Sequence, residues 1–434
     1  MPNSKTHIVI IGGGAAGLGL ARKLARNKDH IVTLVDRNRT HFWKPLLHEV
    51  AAGALDPNLE EVGYGGHAAR WGYRFYQGEL DRIDRAAQTI TTRPLLDDEG
   101  EVILDAQTLD YDYLVLAFGG VSNDFGTPGV REHALFLEHR AQADEFRKKL
   151  LNECLRVNDR RQRGETDATV DIAIVGGGAT GVELSAELEQ SARALRSYGL
   201  TNFDADALRL HLIEAGPRLL PALDDKLVQK VSDELTDLGV QLHTGTRVTE
   251  VRKDGVDTAD DGFIPARMVL WAAGVRGEPD VPSLSDLELS NLDKFVTEPT
   301  LQSVTDPKIF AIGDCAHCVL PGEQRPVPPR AQSAHQMADH VARAITALEA
   351  GKPAPQFEYK DHGSLVSLSH FATVGSLMGN LVGGKLAIEG RVARLAYQSL
   401  YRMHILQVHG PFRGTVQIIT SFFSRAFKPR LKLH

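Results

Sequence analysis

Two short loops in this 434-residue chain carry glycine at one and the same spacing. Gly12, Gly14 and Gly17 stand in VIIGGGAAGLGL, and Gly176, Gly178 and Gly181 in IVGGGATGVEL. The first glycine of a G-x-G-x-x-G run permits a tight turn. The second lets the main chain approach a pyrophosphate, and the third lets helix pack closely on strand. The helix that opens there offers unpaired N–H groups and the positive end of its dipole to phosphate. An acid follows each loop at a strand end: Asp36 after the first, Glu214 after the second. A carboxylate there accepts from a ribose hydroxyl and repels a 2′-phosphate, so Glu214 favours NADH over NADPH. Arg218, four residues on, pulls the other way. One such loop binds one dinucleotide, and two loops point to two.

The elements that must position these loops are legible as β-α-β units. The run HIVII leads into a helical pattern over 15–27 and then the strand IVTLVD, ending at Asp36. The strand VDIAIV at 170–175 opens the second unit, whose helix continues through ELSAELEQSARAL. The strand LRLHLIEA ends near Glu214, and the extra length before it falls in the loop SYGLTNFDAD. YDYLVLAFGG (111–120), MVLWAAG and KIFAIGDCA (308–316) read as buried strands ending at small residues. A charged helix is expected over 138–157, with RRQRGETD as an exposed connection. Pro328-Pro329 is expected to start a helix, because the missing N–H of proline has no partner in a first turn anyway. The two halves form a duplicated dinucleotide unit, not a tandem repeat.

Composition sets the class. Hydrophobic residues make up 42% and charged residues 24%, ordinary values for a globular chain. A net charge of −7 argues against a nucleic-acid partner. Eight Lys and Arg but no carboxylate fall between Arg391 and His434, so the rest of the chain is more acidic than the net charge shows. In that tail Val416, Ile419, Phe423 and Phe427 share one helical face, with Arg425, Lys428, Arg430 and Lys432 beside or after it. A second apolar stretch, LAYQSLYRMHILQV, precedes a break at Gly410-Pro411. Basic, amphipathic helices of this kind lie in a bilayer interface; a dimer or core-packing helix is the plainer reading. No run reaches the ~18 apolar residues of a spanning helix. Cys154, Cys315 and Cys318 do not make a disulfide framework, which points to a reducing compartment. Cys315-x-x-Cys318 follows Gly313-Asp314 rather than sitting in the first loop's helix, and it has no second cluster for a metal; buried inert thiols are expected.

Several further segments narrow the family. HFWKPLLHEVAAG (41–53), GGGATGVELSAEL (176–188), IEAGPRLLP (213–221), PPRAQSAHQMA (328–338), DHGSLVSLS (361–369) and the closing KPRLKLH resemble type II NADH dehydrogenase. This is the single-subunit, non-proton-pumping NADH:quinone oxidoreductase, a flavoprotein with two dinucleotide folds. The resemblance runs from about residue 7 to the end, and HFWKPLLHEVA with PPRAQSAHQ carries most of its weight.

It implies an α/β chain with two Rossmann-like domains and C-terminal amphipathic membrane-docking helices. The expected parts are an FAD domain over 1–125 and 300–390, an NADH domain over 126–299 and a docking region over 391–434. Non-covalent FAD is expected on Gly12, Gly13, Gly14, Ala15, Ala16 and Gly17, with Asp36, Arg37, Lys44, Pro45, Leu80, Gly313, Asp314, Ala331 and Gln332. Asp314 would lie near the ribityl–phosphate stem, although Asp also suits a helix N-cap. Lys44 and Pro45 would lie against the flavin ring; His48 and Glu49 are as readily structural. NADH is expected on Gly176, Gly177, Gly178, Ala179, Thr180, Gly181, Glu183, Glu214, Ala273 and Gly274. Ala273 and Gly274 would permit close backbone approach beside the nicotinamide. Glu183 would assist proton transfer; its plainer role is a first-turn acid at the helix dipole. The helix carrying Ala331, Gln332 and Gln336 would face the flavin, with Gln332, Gln336 and Lys385 toward ubiquinone or menaquinone. No metal is expected. The resemblance also implies a homodimer, docked on the cytoplasmic face of the inner (plasma) membrane. A soluble ferredoxin-type reductase, a sulfide:quinone oxidoreductase and a redox-sensing flavoprotein remain as alternatives.

Overall fold

The computed structural model describes residues 5–368, 372–379, 384–426 and Leu431. The described chain divides into two compact units. The first gathers the chain up to Trp43, Glu60–Val121 and Val275–Lys360; the second gathers Lys44–Leu59, Ser122–Gly274 and the described residues from Asp361 on.

A five-stranded parallel sheet forms the first unit's centre, in the order Ile309–Ala311, Tyr113–Leu116, Thr6–Ile11, His30–Asp36, Arg74–Gln77. Ile8, Ile10, Leu34, Leu114 and Leu116 are fully buried, as expected of strands covered on both faces. Helix Gly17–Leu24 packs against helix Ala331–Glu349. His30 ties the two together. One ring nitrogen lies 3.1 Å from the Leu24 carbonyl and the other 2.9 Å from the Glu349 carboxylate. On another side Leu80, Ile83, Ile90, Leu284 and Phe295 close a core with strands of the sheet.

The second unit repeats the plan. Its parallel sheet runs Ala134–Leu135, Met268–Trp271, Val170–Val175, Leu208–Glu214, Gln241–Thr244. In both sheets the strand before the glycine loop sits in the middle, the next β-α-β strand lies on one side, and a later strand lies on the other. That is the arrangement in which ligands bind outside the carboxyl ends of the strands. Helix Ala179–Leu195 follows the second loop, and an antiparallel sheet Val248–Arg252, Gly255–Thr258, Phe263–Pro265 packs Val251, Val256 and Ile264 against Val175 and Trp271. From Gly363 the chain makes an antiparallel meander, Gly363–Leu368, Ala372–Gly379 and Gly384–Glu389, and then helices Gly390–His409 and Pro411–Ala426.

The expected elements are present with shifted edges. Helix 15–27 is Gly17–Leu24, and the charged helix extends over Arg140–Gln162. The helix expected at Pro328 starts instead at Ala331, because Pro328 precedes a second proline and is held out of the helical region. Arg330 is extended, with φ −140° and ψ 152°. The ligand-based division of the chain and the contact-based one cut it at different points. Residues 275–299 pack in the first unit because Phe295–Thr297 pairs with Ala316–Cys318 and Arg276 bridges to Val121. Among the described residues no helix is long and apolar enough to cross a membrane.

Candidate functional site

The three glycines of the first loop do different work. Gly12 has φ +98°, and a Cβ there would lie 2.5 Å from Phe118 Cα. A Cβ on Gly17 would lie 1.9 Å from the Gly12 carbonyl oxygen, so helix and turn touch through that missing atom. Gly14 is different: a Cβ on it would meet nothing nearer than 4.0 Å, so its main chain faces open space. That open face above the helix N-terminus fits a pyrophosphate. Asp36 stabilises the loop itself, accepting from Gly13 N at 2.6 Å and from Asn38 N at 2.8 Å. Tyr64, a residue the sequence did not single out, fills the space beside Gly13, where a Cβ would lie 2.4 Å from its ring. Its hydroxyl donates to the Gly13 carbonyl at 2.9 Å. Burial and then the Asp36 charge push the phenol well above its ordinary range, so it stays a donor.

Gly313 and Asp314 follow strand Ile309–Ala311 at the same edge of the sheet. A Cβ on Gly120, at the end of the neighbouring strand, would lie 3.4 Å from Asp314 Cβ. Buried Lys294 lies near Asp314; desolvation lowers its pKa, and the Asp314 charge works against that shift. Ala331 is the first helical residue of Ala331–Glu349, and Gln332 follows half-buried. Gln336 is committed to structure. Its amide donates to the Lys360 carbonyl at 2.8 Å and accepts from Lys360 N at 2.9 Å. The residue before it, His335, stacks on Trp43 with ring centroids 5.6 Å apart. Burial pushes His335 down to about 4, against the pull of Asp339. Two expected FAD contacts read differently in place. Leu80 is a core side chain, because it lies on the buried face of strand Leu80–Asp84, and only its main chain is left for a ligand. Arg37 pairs with Glu278 at 2.9 Å.

In the second unit the roles of the three glycines and the acid recur, with Leu219 in place of Tyr64 beside the middle of the loop. Gly176 has φ +118°, with the Ala272 carbonyl oxygen 2.8 Å from where a Cβ would stand. A Cβ on Gly181 would lie 2.1 Å from the Gly176 carbonyl oxygen, whereas one on Gly178 would meet nothing within 4 Å. Glu214 accepts from Gly177 N at 2.7 Å and from Gly216 N at 2.6 Å, the counterpart of Asp36. Ala179 and Thr180 form the first turn of helix Ala179–Leu195. Arg218 is turned to Asp225 and to the Pro221 carbonyl, which occupies the cation that clouded the choice of nucleotide. Ala273 and Gly274 follow strand Met268–Trp271, on the far side of the loop from Glu214.

Glu183 is buried one turn inside helix Ala179–Leu195. One carboxylate oxygen accepts from Ser367 N at 3.0 Å, and the other lies 3.6 Å from His48 Nδ1. Burial pushes His48 down to about 4, which outweighs its hydrogen bond to Pro45, so the ring is neutral at neutral pH. Lys44 and Pro45 form an exposed 3-10 turn just before helix Leu47–Ala51. They belong to this second unit and are not grouped with the first loop. Lys385 falls on strand Gly384–Glu389 opposite Met378. Phe427, Lys428, Arg430 and Lys432 lie outside the described residues, while Phe423 and Arg425 are placed by main chain on helix Pro411–Ala426. All three cysteines are free and buried; burial pushes Cys154 and Cys315 up to about 12 and also raises Cys318. Such thiols are poor nucleophiles.

The pyridine nucleotide-disulphide oxidoreductase family matches residues 6–338. The type II NADH:quinone oxidoreductase of Haemophilus influenzae is 43% identical, over 99% of this chain and 100% of that one. Its Staphylococcus aureus namesake is 30% identical, over 89% of this chain and 93% of its own. Among solved structures, NDH2 from Plasmodium falciparum in complex with NADH superposes with a TM-score of 0.80 at 20% identity, covering 99% of this chain and 100% of that one. A sulfide:quinone oxidoreductase from Aquifex aeolicus reaches 0.73 at 19% identity, covering 93% and 92%. At such identities these two structures speak for the fold alone.

Proposed function

Since the chain belongs to the type II NADH:quinone oxidoreductase family, we propose that it oxidises NADH on the second glycine loop and reduces a membrane quinone with the aid of FAD on the first. The duplicated loop carries this reading: in each unit the middle glycine is open and an acid holds the turn. Bound on the first loop, FAD would supply the two-electron chemistry that links NADH to the quinone.

The chain's own residues bind, orient and hold charge. Main-chain N–H groups over Gly12, Gly13, Gly14, Ala15, Ala16 and Gly17 hold one pyrophosphate, and those over Gly176–Gly181 hold the other. Asp36 and Glu214 fix the adenosine riboses while bracing their loops. Asp314 would hold the ribityl stem of that FAD. The N-terminus of helix Ala331–Glu349 favours negative charge by ~0.3–2 kcal/mol. Gln332 orients a quinone carbonyl without adding fixed charge, and Gln336 contributes by holding Lys360. Glu183 Oε2, with neutral His48 beside it, can hold the proton that quinone reduction takes from the medium.

Ubiquinone or menaquinone reaches the enzyme from the bilayer. Phe412, Val416 and Ile419 project exposed apolar side chains from one face of helix Pro411–Ala426. With the basic tail this supports peripheral docking at the cytoplasmic face, where each Lys or Arg near anionic lipid is worth ~1 kcal/mol. A homodimer is part of the same proposal.

The test is anaerobic stopped-flow on the detergent-purified protein, following visible flavin absorbance. Fast bleaching by NADH, slow bleaching by NADPH and fast recovery with a short-chain ubiquinone are expected. Bleaching without recovery would move the acceptor to a protein or a sulfur compound.

A further inference from the structure

The strand order of the second unit assigns halves to its dinucleotide. The glycine loop ends the middle strand, and Glu214 ends the neighbour that marks the adenosine side. Gly274 follows the strand on the opposite side, so it stands at the nicotinamide half. A glycine there is expected to leave room for the nicotinamide to approach the main chain closely. In the structure that room is filled. A Cβ on Gly274 would lie 2.8 Å from Phe125 Cζ and 2.8 Å from Asn123 Cβ.

Phe125 is 64% exposed. Single exposed apolar side chains are common and need no explanation. This one is held on purpose. Its backbone has φ +52°, a region that a bulky side chain disfavours. Asn123 Oδ1 accepts from Phe125 N at 3.0 Å, and Asp124 Oδ1 accepts from Gly126 N at 3.1 Å. Asp124 is fixed in turn by Arg131 at 2.6 Å. The loop is pinned to the strand end below it: Trp271 Nε1 donates to the Asn123 carbonyl at 2.8 Å, and Asn123 N donates to the Ala273 carbonyl at 3.1 Å. Restraints on both sides keep an aromatic ring on bare main chain at the carboxyl edge of the sheet. Strained backbone that its surroundings over-determine is a mark of ligand sites.

We propose that Phe125 is the aromatic wall against which the nicotinamide of NADH packs, and that Gly274, whose φ of +67° already favours glycine, also leaves room for the far end of this ring. The proposal rests on the assignment of NADH to the second unit. It adds the residue that sets the depth and tilt of the nicotinamide. An aromatic face suits a planar, weakly polar ring, as it does a nucleobase.

Steady-state kinetics of the full-length, FAD-loaded enzyme with NADH and a short-chain ubiquinone provide the test. Phe125→Ala is expected to raise KM for NADH by about tenfold, the size of a lost base–aromatic stack. KM for quinone, flavin content and Tm are expected to stay at wild-type values. Phe125→Trp should restore the NADH term and Phe125→Leu should not, which separates a stacking face from apolar filling. A KM for NADH within about twofold of wild type in Phe125→Ala would overturn the proposal, as would equal rescue by Leu and Trp. Should Phe125→Ala lose flavin, the Leu and Trp variants decide. Wild type is measured first. No bleaching by NADH there would overturn the assignment of the second unit and this inference with it, whereas bleaching with an indifferent Phe125→Ala overturns this inference alone.

Discussion

A Cβ on Gly178 would enter open space, and one on Gly181 would enter the Gly176 carbonyl. The two alanine substitutions should therefore fail in different ways. Gly178→Ala should fold and keep its flavin but lose at least about tenfold in apparent affinity for NADH, seen in the concentration dependence of bleaching. Gly181→Ala should lower Tm, because helix and turn must part. On the role proposed for Glu183, Glu183→Gln, which keeps its shape but cannot carry a proton, should slow quinone reduction while flavin bleaching by NADH stays fast. His48 and His335 give the acid limb of stability. Burial drops each from an ordinary 6.5 to about 4. Between these values the unfolded chain binds more protons, so stability rises with pH through that window. The contribution is complete above about 6.5 and is lost as pH falls toward 4. Urea titrations across pH 4–7 should show it, and His48→Gln should flatten the slope by about one proton. An unchanged slope would mean that His48 is not buried in the neutral form. Asp36 and Glu214 stood out in the sequence as acids at strand ends, but their bonds to Gly13 and Gly177 did not. Tyr64 and His335 could not be read at all. Each owes its place to a partner distant in the chain, and no local spacing announces that.

Among elements, the strands before both loops were the easiest to read, because unbroken apolar runs of this length mark strands covered on both faces. Helix starts were harder. Proline at 328 signals a first turn, yet a second proline beside it delays the helix to Ala331. The meander over 363–389 escaped sequence reading, where DHGSLVSLS served only for the family resemblance, since strand preference depends on the neighbours that a strand pairs with. The tail was read from its helical period, and Val416 and Ile419 stand exposed on helix Pro411–Ala426 beside Phe412. Replacing Phe412, Val416 and Ile419 together with Ser should cut co-sedimentation with anionic liposomes at least about tenfold, at the ~25 cal/mol per Å² of apolar surface that would otherwise be buried. Flavin content and bleaching by NADH should survive. Loss of flavin in that variant would show that the helix packs into the protein instead.

For the whole molecule, fold alone does not choose the reaction, since a sulfide:quinone oxidoreductase shares it. The thiols do discriminate. A sulfide enzyme needs reactive cysteines, and burial holds Cys154, Cys315 and Cys318 protonated. The triple Cys→Ala enzyme should therefore reduce quinone within about threefold of wild type, after allowance for the small cavities left behind. A loss of two orders of magnitude would bring thiol chemistry back. The interleaving of the two units has a further consequence, for the order in which they are made. Every strand of the second parallel sheet lies between Ala134 and Trp271, whereas the first sheet lacks its last strand until Ala311. As the chain leaves the ribosome, the later-encoded parallel sheet is complete first, and the amino-terminal strands wait with an open edge at Tyr113–Leu116 until their partner arrives. Unpaired edges of this kind invite wrong pairing. Slow translation across 275–311 would lengthen that exposure, so the hazard in producing this protein sits in the nascent chain rather than in the finished one.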